Sequence, residues 1–276
     1  MCDECFSRRD LLIGGSLVLA AAGIATALGA PALAEAMHTP AALPTIPAVN
    51  VAPGLDVYPR DAWGADLPPK GPIVSPEDVR FLLVHHTASS NNPKGGAIAE
   101  LRRTYGYQTG PAKKWPDVCY QFFVDRDGLV YEGRKGALTG SVVANATGGN
   151  QGFAQLVCLI GNFTKVLPPA AQQASLVRTL AWLADRYNLD TTPGATASFV
   201  SRGSNKFKKG KNVSVKTIGG HRDTSATACP GNKFYPVVRD HMQTLVTAER
   251  ARMRAASNGG FPFAPSTDTP APTPTP

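Results

Sequence analysis

Six consecutive residues, Phe81-Leu82-Leu83-Val84-His85-His86, constrain this chain more than any other stretch. The run opens on four apolar side chains without alternation, so a strand built from it is apolar on both faces. Such a strand belongs in the middle of a sheet, with a layer on each side. Other segments can supply the sheet and the layers. Residues 120–124 and 129–131 flank Asp125-Arg126-Asp127-Gly128, a turn signal, and read as a hairpin. Gln155 to Ile160 reads as a second buried strand, and Val215 to Gly219 as a last short strand that delivers His221. Three stretches carry helical spacing. Residues 92–105 place Ile98, Leu101, Arg102 and Tyr105 on one side. Residues 168–187 begin with prolines and align Val177, Leu180, Ala181, Ala184 and Tyr187. Residues 237–254 align Val238, Met242, Leu245 and Val246. Strands and helices interleave, which predicts an α/β fold: a single layered domain with a central mixed β-sheet flanked by helices.

Both ends of the 276-residue chain read differently. Ser7-Arg8-Arg9-Asp10-Leu11-Leu12 precedes a soft Ala/Gly-rich apolar run, and Ala32-Leu33-Ala34 then offers a cleavage site. Residues 1–34 therefore read as a twin-arginine signal peptide, which predicts an exported chain working outside the cytoplasm. Residues 35–55 read as an Ala/Pro-rich linker, and 256–276 as a Pro/Thr-rich disordered tail. Residues 56–255 remain for one domain, long enough to bury a core without staples. The formal net charge of +8 suits an anionic partner such as a cell-wall polymer, a membrane surface or nucleic acid. Arg202 to Lys216 is a basic insert with Lys206, Lys208, Lys209, Lys211 and Lys216. It reads as a solvated loop, with contact to anionic cell-wall polymer as its functional reading.

Beyond the leader's Cys2 and Cys5, three cysteines remain: Cys119, Cys158 and Cys229. An odd number makes no disulfide framework for an exported chain, so at least one thiol needs another role. His221 and Cys229 stand eight apart in Gly220-His221-Arg222-Asp223-Thr224-Ser225-Ala226-Thr227-Ala228-Cys229-Pro230-Gly231, and the 81–86 strand ends in two more imidazoles. Two histidines and one cysteine make a three-donor zinc set with a fourth position open, which is the pattern of a catalytic site. Strand parity lets only one of His85 and His86 reach that face, and the residues alone leave the choice open. Thr227 and Cys229 are two apart, so an extended segment would turn both to one side. Asp223 reads either as an acceptor orienting an imidazole or as a local turn residue. A structural-zinc or redox-thiol protein would need a fourth ligand or a Cys-x-x-Cys, and the only such pair is in the leader.

Six blocks then fall in order: Tyr58-Pro59-Arg60-Asp61-Ala62-Trp63-Gly64, Val84-His85-His86-Thr87-Ala88, residues 117–128, Val130-Tyr131-Glu132-Gly133-Arg134, Leu159-Ile160-Gly161-Asn162-Phe163, and residues 220–231. Together they resemble the peptidoglycan recognition protein family and, more broadly, the zinc N-acetylmuramoyl-L-alanine amidases related to phage T7 lysozyme. The resemblance implies Zn2+ held by His85, His221 and Cys229, a site tyrosine at Tyr120 and a catalytic hydroxyl at Thr227. It implies hydrolysis of the amide between N-acetylmuramic acid and L-alanine. A non-catalytic peptidoglycan-binding protein of the same fold is the alternative. The implied partner is peptidoglycan or a muropeptide, without nucleic acid, and membrane contact is confined to the signal peptide. The chain departs from the family pattern at Ala146, where a histidine is usual, at Ala154-Gln155-Leu156, and at Cys119, where glycine is common.

Overall fold

The computed structural model describes residues 43–76, 78–150 and 152–257. The expected signal peptide, the first part of the expected linker and nearly all of the expected tail lie outside these residues. Nine strands and five helices are assigned among the described residues: β1 (Val49–Ala52), β2 (Leu55–Tyr58), α1 (Asp61–Gly64), β3 (Phe81–His86), α2 (Gly96–Thr109), β4 (Phe122–Val124), β5 (Val130–Glu132), β6 (Ala154–Leu159), α3 (Ala170–Arg186), β7 (Thr196–Val200), β8 (Asn212–Lys216), β9 (Ile218–Gly220), α4 (His221–Thr224) and α5 (Tyr235–Ser257). No described helix is long and apolar enough to cross a membrane.

Seven strands form one sheet in the order β1-β2-β5-β4-β6-β3-β9, and β7 and β8 form a separate hairpin. The sheet is mixed. β3 runs parallel to both β6 and β9, β4 runs parallel to β6 but antiparallel to β5, and β1 and β2 are antiparallel. Every residue of β3 is buried, as its unbroken apolar run requires. Alternate side chains serve two cores. Leu82 and Val84 join Phe122, Val157 and Leu159 beneath α3 and α5, against Leu176, Leu180, Val238 and Val246. Phe81 and Leu83 join Phe123, Leu156 and Cys158 on the other face, against Leu101 and Tyr105 of α2 and Phe199, Val213 and Val215 of the β7–β8 hairpin. A β-strand's period of two thus divides one run between two layers.

Several boundaries move for identifiable reasons. The linker expected over 35–55 gives way to β1 at Val49, whose pairing with β2 extends the folded part toward the N-terminus. The helix expected from Asn92 begins at Gly96, because Gly95 and Gly96 both hold positive φ (82° and 73°) and cannot open a helix earlier. The strand expected over 215–219 divides at Thr217, whose hydroxyl donates to the Asp190 carbonyl between β8 and β9. The basic insert expected as one loop over 202–216 is a hairpin loop only as far as Lys211, and Asn212–Lys216 form β8, paired with β7.

A buried ionic group fastens the N-terminal strands to the sheet. Arg60 and Asp117 are 2% and 0% exposed and stand 3.2 Å apart. The Arg60 guanidinium also donates to the carbonyls of Leu67 and Gly133 and lies 3.8 Å from the Trp63 ring centroid. Asp117 accepts from the backbone N–H groups of Val118 and Lys135. Burial lowers the Arg60 pKa, and Asp117 opposes that fall. Removing one partner strands the other charge in a dry interior. Asp117→Ala should lower unfolding free energy by about 3–5 kcal/mol in a urea titration; a loss under about 1 kcal/mol would mean the pair is energetically idle.

Candidate metal centre

The parallel pairing of β3 with β9 places Val84 opposite Gly220, so the two strands deliver their next residues side by side. Those residues are His85 on β3 and His221, the first residue of α4. Their rings stack with centroids 4.3 Å apart. The chain then returns through a bend to Cys229, whose Sγ lies 3.7 Å from Nδ1 of His85. One donor atom from each of His85, His221 and Cys229 lies within 4.8 Å of the others, and all three residues are buried. The group sits at the carboxyl ends of parallel strands, the usual crevice for ligands in open α/β sheets.

The electrostatics of this group are those of a cation site. Both ring nitrogens of His221 are buried and have no hydrogen-bond partner among the described residues. An imidazole left so costs on the order of 1–3 kcal/mol for each unsatisfied polar atom, unless something else binds it. The backbone N–H of His86 points at the Cys229 sulfur, at 3.4 Å, which favours a thiolate. Two imidazoles and a thiolate are the donor chemistry that zinc takes. The residues present therefore fit the ion, and no fourth His, Cys, Asp or Glu joins the group among the described residues.

His86 falls on the opposite side of the strand. Its Nδ1 accepts from the Phe163 N–H at 3.2 Å, and its ring faces Phe163 in the other core. Parity and packing together thus separate the two histidines that sequence left equivalent. Tyr120 comes to the site, with its ring centroid 5.1 Å from that of His85. Its carbonyl accepts from the Arg134 N–H at 2.8 Å, and the Arg134 guanidinium reaches the Val118 carbonyl, the Val143 carbonyl and Oδ1 of Asn145. That cation ties the segment leading into β4 to the loop that follows β5. Burial lowers its pKa, with Cys119 and Asp117 acting in the opposite direction.

Thr227 is placed differently from the extended arrangement expected of it. Residues 225–227 form a bend, and the Thr227 hydroxyl oxygen accepts from the Cys229 N–H at 3.2 Å. The hydroxyl is brought to the ligand segment by a local turn. Asp223 takes the local role. It accepts from the Gly220 N–H at 2.7 Å and from the Tyr235 hydroxyl. Partial burial and that bond to Asp223 push the Tyr235 hydroxyl up to about 12. Ala146 is buried with φ 54°, in the left-handed region.

Sequence reasoning missed the residues that hold the ligand segment from outside. The side chain of Asn205 pairs with Ala226 in both directions, donating to its carbonyl at 3.2 Å and accepting from its N–H at 2.8 Å. Ser204 donates to the Thr224 carbonyl, and the Lys206 ammonium donates to the carbonyls of Arg222 and Asp223. On the inner side Gly148, at φ 68°, lies so close that a Cβ there would meet the Thr224 carbonyl oxygen at 2.5 Å. Such contacts join residues far apart in sequence and leave no local signature. Only the double glycine at 148–149 could have marked a close approach.

The family model for N-acetylmuramoyl-L-alanine amidase (Amidase_2) matches residues 75–232. The N-acetylmuramoyl-L-alanine amidase of Homo sapiens is 29% identical over 206 residues, which cover 73% of this chain and 31% of that protein's length. Peptidoglycan recognition protein 1 of Bos taurus is 29% identical over 185 residues, 65% of this chain and 80% of its own. Among solved structures, bumblebee PGRP-SA superposes with a TM-score of 0.52 at 19% identity, over 68% of this chain and 95% of that one. Drosophila PGRP-SA gives 0.51 at 20% identity, over 68% and 92%. These likenesses support the fold.

Gly148→Ala tests the inner support of the ligand segment. The substitution adds a side chain at positive φ against fixed backbone, so the thermal midpoint should fall by an amount equivalent to about 1–3 kcal/mol. An unchanged midpoint would show that α4 can shift freely and that its placement is not set there.

Proposed function

The chain belongs to the N-acetylmuramoyl-L-alanine amidase family, and from that premise we propose that it hydrolyses the amide joining N-acetylmuramic acid to L-alanine in peptidoglycan. In this reading His85, His221 and Cys229 hold a zinc ion. The observation that carries the reading is the His221 imidazole, fully buried with both nitrogens unpartnered, beside a second imidazole and a thiol. An ion held there would supply Lewis acidity toward the amide carbonyl and toward water.

The remaining work falls to side chains. The N–H of His86, 3.4 Å from the Cys229 sulfur, would stabilise a thiolate there when the ion is bound. Stacking of His85 on His221 fixes both ring planes. Tyr120, packed against His85, is assigned as the hydroxyl donor to the oxyanion that develops on the substrate carbonyl. The Thr227 oxygen already accepts from Cys229, so its own O–H proton is available to donate to substrate. An amide is a poor electrophile with a poor leaving group, and donors held ready before reaction avoid reorganisation cost. The leader at residues 1–34, outside the described residues, is assigned to twin-arginine export, which would take the folded protein to its substrate. A binding-only peptidoglycan protein is the competing reading, since relatives include proteins named for recognition. The retained Cys229 thiol favours hydrolysis over it.

Cys229→Ala and His221→Ala should each bring zinc from about one ion per chain to near zero by elemental analysis and stop release of stem peptides from purified peptidoglycan. Full metal content in either variant would refute the ligand assignment. Tyr120→Phe should keep zinc and lose roughly 10²–10³ in kcat, the usual size for one oxyanion donor. Undiminished turnover would remove Tyr120 from the chemistry. Mass spectrometry of the fragments, with and without a chelator, identifies the bond cut; intact amide bonds after digestion would leave the binding-only reading standing.

A further inference from the structure

The loop that joins β7 to β8, residues 201–211, has two faces with different jobs. Its inner face clasps the segment between His221 and Cys229, through Ser204 to Thr224, Asn205 to Ala226 and Lys206 to Arg222 and Asp223. The clasp is also tied to the loop behind it, where the Arg202 N–H donates to the Gly149 carbonyl. The loop itself is closed by bonds of Ser201 with Lys211 and Gly210, and of Ser204 with Phe207. A tip held in this way is fixed beside the segment that leads from His221 to Cys229.

Its outer face carries unopposed positive charge. Lys208, Lys209 and Lys211 are exposed. Residues 201–216 contain no Asp or Glu. Lys206 spends its ammonium on the α4 carbonyls and Lys216 on the Arg239 carbonyl, but among the described residues no such bond engages the other three. The ammonium groups of Lys206 and Lys211 both lie over the Phe207 ring, at 5.4 and 5.3 Å from its centroid. Like charges crowded on one loop repel each other, a cost that an anionic partner removes. These charges stand on a loop that is itself bonded to the ligand segment.

Resting on the amidase reading for the identity of the wall, we propose that Lys208, Lys209 and Lys211 form a cationic rim that binds the anionic polymer carried by the peptidoglycan. The polymer's repeating phosphate or carboxylate groups run along the rim, and the glycan that bears it is thereby held beside the metal centre. The rim binds by charge without a shaped pocket, so its affinity falls steeply with salt.

The test compares wild type with the triple variant Lys208→Gln/Lys209→Gln/Lys211→Gln by co-sedimentation with intact walls and with walls stripped of anionic polymer. Three charge contacts to a flexible chain predict an approximately tenfold to twentyfold loss of wild-type binding to intact walls between about 50 and about 200 mM salt. The triple variant should lack that salt-dependent share, and stripped walls should hold both proteins equally. The matching Lys→Arg triple should bind like wild type, which separates charge from folding, and thermal midpoints should agree across all three. Equal sedimentation of the Gln variant and wild type on intact walls at every salt would overturn the proposal. So would wild-type binding to stripped walls as tight as to intact ones, or tighter binding to anionic lipid vesicles than to intact walls. A wild-type chain that releases no fragments yet binds intact walls in this salt-dependent way would refute the amidase reading and uphold the rim.

Discussion

Everything at the metal centre depends on β3 pairing in parallel with β9. That pairing sets Val84 opposite Gly220, so His85 and His221 emerge at the same level from neighbouring strands. Parallel neighbours require a crossover between them, and here the crossover contains nearly the whole remaining domain, from α2 to β8. Two donors that start 136 positions apart in sequence are thus joined by sheet geometry. The third needs only a short turn, because Cys229 follows His221 by eight residues.

The two faces of β3 then divide the labour. One face, with Leu82 and Val84, is sealed by α3 and α5 and contributes stability. The other, with Leu83, packs against α2 and the β7–β8 hairpin, and His85 lies buried at the strand's carboxyl end. His85 and His86 differ by one residue and so by a whole face. A register slip of one would exchange the candidate ligand His85 for the core histidine His86. The pairing along β3 with both neighbours makes such a slip expensive, since the apolar residues would have to change layers with it.

The sequence made the centre of the fold legible and its margins less so. β3 was readable because six buried residues leave few alternatives, and α3 because its apolar stripe repeats at helical spacing. His221 and Cys229 were readable as candidate ligands by chemical type, the choice of His85 over His86 came from the family resemblance, and the fold brings His85, His221 and Cys229 together. β1 was hidden by its alanine and proline surroundings, and the β7–β8 hairpin by an eleven-residue basic loop in place of a turn dipeptide. Half of that hairpin faces water, so only Phe199, Val213 and Val215 mark it as buried. The clasp of Ser204, Asn205 and Lys206 was not legible at all, because side-chain bonds to distant carbonyls have no periodicity. Thr227 shows the limit of parity arguments: its spacing from Cys229 was right for a shared face, but a bend replaced the strand that would have imposed it.

The central claim is that two imidazoles and one sulfur of this chain surround one ion, with a fourth position left to solvent. X-ray absorption at the zinc edge of the purified protein tests it most directly. The account predicts one sulfur at about 2.3 Å and light scatterers at about 2.0 Å, two of them showing the outer-shell pattern of imidazole and one not. A spectrum without sulfur, or one fitted by four protein donors and no solvent atom, would contradict it.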